Sequence, residues 1–302
     1  MANKKRVCLI GLGTITQRYI SGLTSSDALE LVAVSDINES AVARKCYENY
    51  PFYRDYKLMI SDQKPDYVII STPPEGHFDI AQYCLNNDIG IIIEKPVTLN
   101  SNDFKNLIDL AQKNNLLFKT LFHWHGGIET RYFTENYKHD EIREIKINIC
   151  DPYCDNNEFI IPEKRQLMGA WIDSGVNALS MIRLWLPFNK LEIISTECKR
   201  CDQTDLPIYA RIILLIDGVK TEIAIDWRKG INHKESYITV GDRCIYINHS
   251  EQYVSDGIVT ELARISRLDE HYNYLFTNFS EASNAIESAS IHEFLFRINE
   301  VL

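Results

Sequence analysis

RVCLIGLGTIT, residues 6–16, decides the fold. Val7–Ile10 is an uninterrupted apolar run that ends on Gly11-Leu12-Gly13. Such a run suits a strand buried on both faces of a parallel sheet. A helical pattern, Thr14–Leu23, comes directly after it. Strand, glycine turn and helix in that order are the setting a dinucleotide fingerprint requires. Gly11 permits the tight turn, and Gly13 lets the backbone approach a pyrophosphate. Thr14 and Ile15 open the helix, whose N-terminus offers amide hydrogens and a partial positive charge. Thr16 takes the third glycine position, so the fingerprint is incomplete.

Working outward, the next apolar run, Leu31–Ser35, ends at Asp36. That is about 20 residues beyond the glycines, where a carboxylate can accept both ribose hydroxyls of adenosine and repel a 2′-phosphate. NAD is therefore expected over NADP; the competing reading is that Asp36 merely caps the next helix. Further strands are expected at Tyr67–Ser71, Ile89–Glu94 and Leu117–Phe122. Helices are expected at Glu39–Asn49, Phe78–Asn86 and Asp103–Lys113. Alternating β and α at this spacing predicts an α/β Rossmann domain, a doubly wound parallel sheet, over residues 1–122.

The pattern then changes. A helix is expected at Gly127–Asn136, an alternating strand at Ile142–Cys150 and a helix from about Ser174 to Leu186, stopped by Pro187. Strands are expected next at Leu191–Cys198, Ile208–Ile216, Lys220–Trp227 and Tyr237–Asn248, with Asp217-Gly218 as a hairpin turn. Residues 123–302 thus read as a second, α+β domain with a largely antiparallel open sheet. The tail Asn284–Leu302 has helical spacing and is expected to pack back on the first domain.

Composition narrows the function classes. Of 302 residues, 45% are hydrophobic and 25% charged, which is ordinary for a globular chain. With 32 basic against 42 acidic residues, the net charge of −10 argues against a duplex-binding surface. No apolar run approaches the ~20 residues of a membrane helix. The basic start runs into a glycine turn without a cleavage site, so it reads as a strand, not a leader. A cytoplasmic protein with reduced thiols is expected from eight scattered cysteines. Cys150/Cys154 and Cys198/Cys201 have zinc-like spacing, but the pairs lie far apart and no metal is expected.

Thr72-Pro73-Pro74-Glu75-Gly76-His77 closes the third apolar strand, and Glu94-Lys95-Pro96 closes the fourth. With the glycine turn, these motifs resemble the Gfo/Idh/MocA oxidoreductases. The resemblance implies a two-domain NAD(P)-dependent enzyme acting on sugars or polyols, and a cis Lys95–Pro96 bond. His123-Trp124-His125 and Asp173-Ser174-Gly175-Val176-Asn177-Ala178-Leu179 look like the D-galactose and L-arabinose 1-dehydrogenase branch, as does Glu270-His271-Tyr272. The loop Asp151–Arg165 departs from that branch in lacking its tryptophan-rich segment.

Lys95 is expected at a strand end facing the ligand crevice, as the base that takes the alcohol's proton. Asp173 and Asn177 are four apart and share a helical face. Asp173 is read as orienting alcohol and lysine, or as an N-cap. Asn177 cannot act as a base but can hold the reacting hydroxyl. His125 is assigned to a substrate hydroxyl, the alternative being a histidine hydrogen-bonded in the domain junction, with Asp151 a further substrate contact. Thr72, Pro73, His77 and Glu94 are expected around the cofactor, His77 and Glu94 beside the nicotinamide ribose. Trp124 and Trp171 are read as sugar-stacking surfaces or packing. The expected reaction is oxidation at C1 of an aldose to a lactone. The alternatives are oxidation at another carbon of a sugar or inositol, and a non-catalytic NAD sensor. A homodimer or homotetramer through the second sheet is implied by resemblance.

Overall fold

A computed structural model describes residues 3–162, 168–262 and 266–302. The chain divides into two compact units: Met1–His123 with His271–Ala289, and Trp124–Glu270 with Ser290–Leu302.

The first unit is built on a parallel sheet of six strands: β1 (Lys5–Ile10), β2 (Leu29–Ser35), β3 (Phe52–Tyr53), β4 (Tyr67–Ile70), β5 (Gly90–Glu94) and β6 (Phe118–Leu121). Their order is β3-β2-β1-β4-β5-β6, so the chain winds outward from β1 in one direction and then in the other. Ile10, Ile70 and Ile93 stand in register across β1, β4 and β5. The residues after them, Gly11, Ser71 and Glu94, therefore reach the same edge of the sheet. The helices are α1 (Tyr19–Ser25), α2 (Tyr56–Gln63), α3 (His77–Asn86) and α4 (Ser101–Lys113). Every residue of β4 and β5 is buried, as continuous apolar runs require.

Three local expectations differ. Glu39–Asn49 forms only a short 3₁₀ turn, Arg44–Tyr47. Asp36 and Asn38 side chains instead bond the backbone N–H groups two residues on, at Asn38 and Ser40. Such local bonds compete with helix formation. The first helix also starts as a 3₁₀ turn, Ile15–Arg18, before α1. β3 and α2 have no counterpart among the sequence expectations.

The first strand of the second unit is β7 (Ile142–Cys150). A small hairpin comes after it, β8 (Cys154–Asp155) with β9 (Glu158–Phe159), in the loop expected at Asp151–Arg165; residues 163–167 fall outside the described residues. Next in the chain are β10 (Leu191–Arg200), β11 (Pro207–Ile216), β12 (Val219–Asp226), β13 (His233–Val240), β14 (Arg243–Asn248), β15 (Tyr253–Ser255) and β16 (Val259–Glu261). With β7 they make an eight-stranded sheet in the order β10-β11-β12-β7-β13-β14-β15-β16. Only the β12–β7 pair is parallel. Asp217 and Gly218 both take positive φ between Ile216 and Val219, which suits a type I′ hairpin. The single strand expected at Tyr237–Asn248 is two, because Gly241 and Asp242 turn the chain between Val240 and Arg243.

Two helices cover the unit's core, α5 (Ile128–Asn136) and α6 (Val176–Trp185). The last helices, α7 (Arg267–Thr277) and α8 (Ala285–Asn299), each have residues in both units. No helix among the described residues is long and apolar enough to cross a membrane.

Candidate active site

In the first unit the site grows from the glycine turn. Gly11 has φ +92°, and a Cβ there would sit 2.5 Å from the Ser71 carbonyl oxygen. Only glycine fits so close to the end of β4. Gly13 is the reverse case: no heavy atom of the described residues lies within 4 Å of where its Cβ would be. The turn is thus closed toward the sheet and open on its other side. Thr14 is exposed and Ile15 half-buried at the start of the helical segment. Thr16 is buried in place of the third glycine, and its hydroxyl returns to the Gly13 carbonyl at 2.8 Å.

Asp36 lies against this turn. Its Oδ2 accepts the Leu12 N–H at 2.7 Å and its Oδ1 the Asn38 N–H at 2.8 Å. The carboxylate therefore ties β2 to the glycine turn, and it also makes the local cap of the competing reading. Thr72, just past β4, has a buried Oγ1 without a hydrogen-bond partner among the described residues. Pro73 beside it is exposed. An open glycine turn, a carboxylate one strand away and an orphaned hydroxyl fit a dinucleotide. Gly11, Gly13, Thr14, Ile15, Asp36, Thr72 and Pro73 are the residues that would hold it.

Two assignments in this unit need correction. His77 does not present its ring outward: it is 1% exposed, with Nδ1 at 3.0 Å from the Pro96 oxygen and Nε2 at 2.8 Å from the Thr72 oxygen. Burial holds its pKa below the usual value despite these carbonyls. It clamps the loop after β4 to the loop after β5. Glu94 likewise turns inward. Its Oε1 accepts the Tyr19 and Tyr272 hydroxyls at 2.5 and 2.7 Å, and its Oε2 faces the Lys95 N–H at 3.2 Å. Sequence reasoning missed both tyrosines as partners, since they lie far from Glu94 along the chain. Lys95 itself is half-buried at the end of β5, and its bond to Pro96 is cis, as the resemblance implied.

In the second unit, Asp173 sits inside a π-helical turn, Trp171–Gly175, that runs into α6. It is therefore not an N-cap, because the helix starts before it. Gly175 makes room for the Trp171 ring, which would stand 2.7 Å from a Cβ. Asn177 Nδ2 bonds back to the Asp173 carbonyl at 3.3 Å, so the two share a face. Asn177 Oδ1 is buried with no partner among the described residues. π-turns of this kind recur at functional sites.

His125 lies in a 3₁₀ turn, His123–Gly126, not in an extended strand. His123 and His125 therefore do not share a side. His125 Nε2 meets the Ser180 oxygen of α6 at 3.0 Å, while His123 Nδ1 meets His271 Nδ1 at 3.0 Å in the first unit. One ring nitrogen of His125 is thus already engaged. Trp124 and Trp171 are buried core residues, not stacking surfaces.

Asp151 is 6% exposed, and its Oδ1 takes the Lys234 ammonium at 2.6 Å. Lys234 also donates to Asn232 Oδ1 at 2.7 Å, and burial pulls its pKa down against Asp151. Asp151 is thus half of a buried ion pair, not an open substrate contact. A signal for Lys234 existed: it falls on the inward register of β13 with Ser236, Ile238 and Val240. A lysine there needs a buried partner. The same strand begins a chain from Ser236 Oγ to His249 Nε2 at 2.8 Å and from His249 Nδ1 to Glu129 Oε1 at 2.9 Å. The order matches a nucleophilic triad, but all three residues are fully buried. The chain ties α5 to the sheet. Among the described residues no three His, Cys, Asp or Glu side chains gather as metal ligands.

Fold and glycine turn together define a domain of the Rossmann type. Residues 5–122 match the Gfo/Idh/MocA family, described as an oxidoreductase family with an NAD-binding Rossmann fold. That is the family the motifs resembled. The inositol 2-dehydrogenase of Salmonella paratyphi B is 31% identical over 111 residues, 35% of this chain and 33% of that protein. The D-glucoside 3-dehydrogenase of Escherichia coli is 25% identical over 145 residues, 47% of this chain and 41% of that protein. The chain thus spans about a third to two-fifths of these relatives. The crystal structure of GenD2 from gentamicin A biosynthesis, in complex with NAD, shares the fold with a TM-score of 0.81. It is 13% identical, over 98% of this chain and 93% of that one.

Proposed function

We propose that the protein is an NAD-dependent dehydrogenase that oxidises a CH–OH group of a sugar or polyol. The reading rests on one arrangement: the Gly11–Gly13 turn, Thr72 with its orphaned hydroxyl, and Lys95 all follow strand ends at the same edge of the parallel sheet. Strand ends of a doubly wound sheet are where ligands bind. Bound NAD supplies the two-electron acceptor. Lys95 Nζ takes the proton of the alcohol, which an amine can do once it is neutral. Asn177 Oδ1 accepts from a substrate hydroxyl next to the reacting one and so fixes the substrate, and Asp173, on the same helical face, orients the alcohol. Asp36 favours NAD, since its carboxylate would repel a 2′-phosphate.

The relatives are named for oxidation at an inositol C2 and a glucoside C3. Their names favour a secondary hydroxyl, and C1 of an aldose, as in the 1-dehydrogenases, is the second reading. Assembly through the outer face of the second sheet is part of the proposal.

The protein is incubated with NAD or NADP and a panel holding myo-inositol, glucosides, galactose and arabinose. Cofactor reduction is monitored and the product identified. A ketone supports a secondary carbon, and a lactone supports C1. Lys95→Ala abolishes turnover while NAD affinity stays within about twofold. A Lys95→Ala protein that still turns over removes Lys95 from the chemistry.

A further inference from the structure

The stretch after β2, expected as one helix over Glu39–Asn49, instead reaches back to the glycine turn at several points. Asp36 Oδ2 accepts the Leu12 N–H at 2.7 Å, and the Ala43 N–H donates to the Leu12 carbonyl at 3.0 Å. Gln17 Nε2 donates to the Val42 carbonyl at 3.2 Å. The shortest of these ties is made by Tyr47, whose hydroxyl donates to the Thr16 carbonyl at 2.6 Å. Tyr47 ends the 3₁₀ turn Arg44–Tyr47 and is fully buried. Its own carbonyl accepts from Arg44 Nη1 at 3.0 Å.

Thr16 stands where the fingerprint has its third glycine, which in that motif lets helix and strand pack closely. Here the side chain is folded away onto its own backbone, with Oγ1 donating to the Gly13 carbonyl at 2.8 Å. The Thr16 carbonyl takes two donors, the Tyr19 N–H across the 3₁₀ turn and the Tyr47 hydroxyl. Tyr47, Thr16 and Gly13 thus form one chain of contacts, which ends at the glycine whose Cβ position is open. Phenylalanine would fill the ring's place equally well if packing were the only demand. The hydroxyl is set to donate, because burial pushes its pKa up and a carbonyl can only accept. A turn held in its bound shape before the ligand arrives needs no ordering on binding, and the saving appears as affinity.

We propose that Tyr47 is a positioning residue for the cofactor, an inference that rests on the dinucleotide reading of the glycine turn. Through Thr16 it holds Gly11–Gly13 in the shape that receives the pyrophosphate.

The test is Tyr47→Phe, which keeps the ring and removes one hydroxyl. Binding is read by calorimetric titration with NAD and with ADP-ribose, which carries the pyrophosphate without the nicotinamide. Both dissociation constants rise about three- to tenfold. Hydrogen exchange of the ligand-free protein, read by peptide mass spectrometry, separates a local effect from a general loss of stability. The peptide over residues 11–18 exchanges faster in Tyr47→Phe, while peptides of β4 and β5 keep their wild-type rates. Saturating NAD restores slow exchange to residues 11–18. Dissociation constants that stay within about 1.5-fold of wild type for both ligands overturn the proposal. Exchange that quickens equally in β4 and β5 also overturns it, since Tyr47 then supports the whole sheet. Should Tyr47→Phe not fold, Thr16→Val cuts the same chain at its next link and is read in the same way. A wild-type protein that binds neither NAD nor ADP-ribose removes the dinucleotide reading itself, and the role of Tyr47 with it.

Discussion

Gly11 and Gly13 stand two residues apart, and alanine at each separates what the turn does for the fold from what it does for a ligand. At Gly11, φ is +92°, and a Cβ would meet Ser71 O at 2.5 Å, Ser71 C at 2.6 Å and Thr72 N at 2.8 Å. All three are main-chain atoms at the end of β4, so no flexible side chain can give way. The backbone conformation costs a non-glycine residue about 1–3 kcal/mol. Forced overlap in a packed region adds about 1–3 kcal/mol. At roughly 2–4 °C per kcal/mol, Gly11→Ala lowers the unfolding midpoint by on the order of 10 °C. At Gly13, φ is not positive and no heavy atom of the described residues lies within 4 Å of a built Cβ. Gly13→Ala therefore keeps stability within about 0.5 kcal/mol of wild type. Its methyl fills the open side of the turn, and NAD affinity falls at least about tenfold, ~1.4 kcal/mol. Thermal unfolding and calorimetric titration with NAD read the two effects separately. A Gly13→Ala protein that binds NAD as tightly as wild type, or a Gly11→Ala protein with an unchanged midpoint, refutes the reasoning.

Asp36→Ser removes the negative charge beside the glycine turn, and the ratio of NADP to NAD affinity rises; an unchanged ratio removes Asp36 from cofactor selection. Stability falls as pH drops below about 6.5, because burial holds the His77 and His249 pKa values under the ordinary 6.5. Below that pH the unfolded chain binds protons that the native one refuses, at up to about 1.4 kcal/mol per pH unit for each histidine. His249→Gln flattens the slope of unfolding free energy between about pH 7 and pH 5 by one proton's worth, measured by urea titration. The same slope in both proteins would show that His249 takes up its proton in the native state too.

The parallel sheet was legible because burial on both faces leaves no polar alternation to disguise a strand. Val68–Ile70 and Ile91–Ile93 could be nothing else. The segment after Asp36 misled because its residue types tolerate helix, while the Asp36 and Asn38 side chains capture the backbone N–H groups a first helical turn needs. β3 is two residues long, too short for any period to register. Gly241-Asp242 marked the split of Tyr237–Asn248, but the apolar pattern on both sides ran through it. The motif residues were legible as positions and less so as roles. His77 and Glu94 fall in the right loops, yet their side chains turn inward to partners contributed by Pro96, Tyr19 and Tyr272. Pairings over such sequence distances leave no local trace.

Buried polar groups differ in how they are satisfied, and two of the unsatisfied ones fall in the ligand motifs. Asp151 has Lys234, Glu129 has His249, and Glu94 has two phenols. Each is a carboxyl group that burial would penalise if left alone, and each has at least one partner within its own unit. Thr72 Oγ1 and Asn177 Oδ1 are among several buried side-chain atoms without a hydrogen-bond partner among the described residues. Both belong to motifs that the sequence marked for ligand contact. An unmade hydrogen bond on a buried oxygen costs about 1–3 kcal/mol. A ligand that supplies the missing partner recovers that cost as affinity. Of the buried atoms without a hydrogen-bond partner, these two oxygens are the ones that fall in the ligand motifs, and a ligand there would satisfy them.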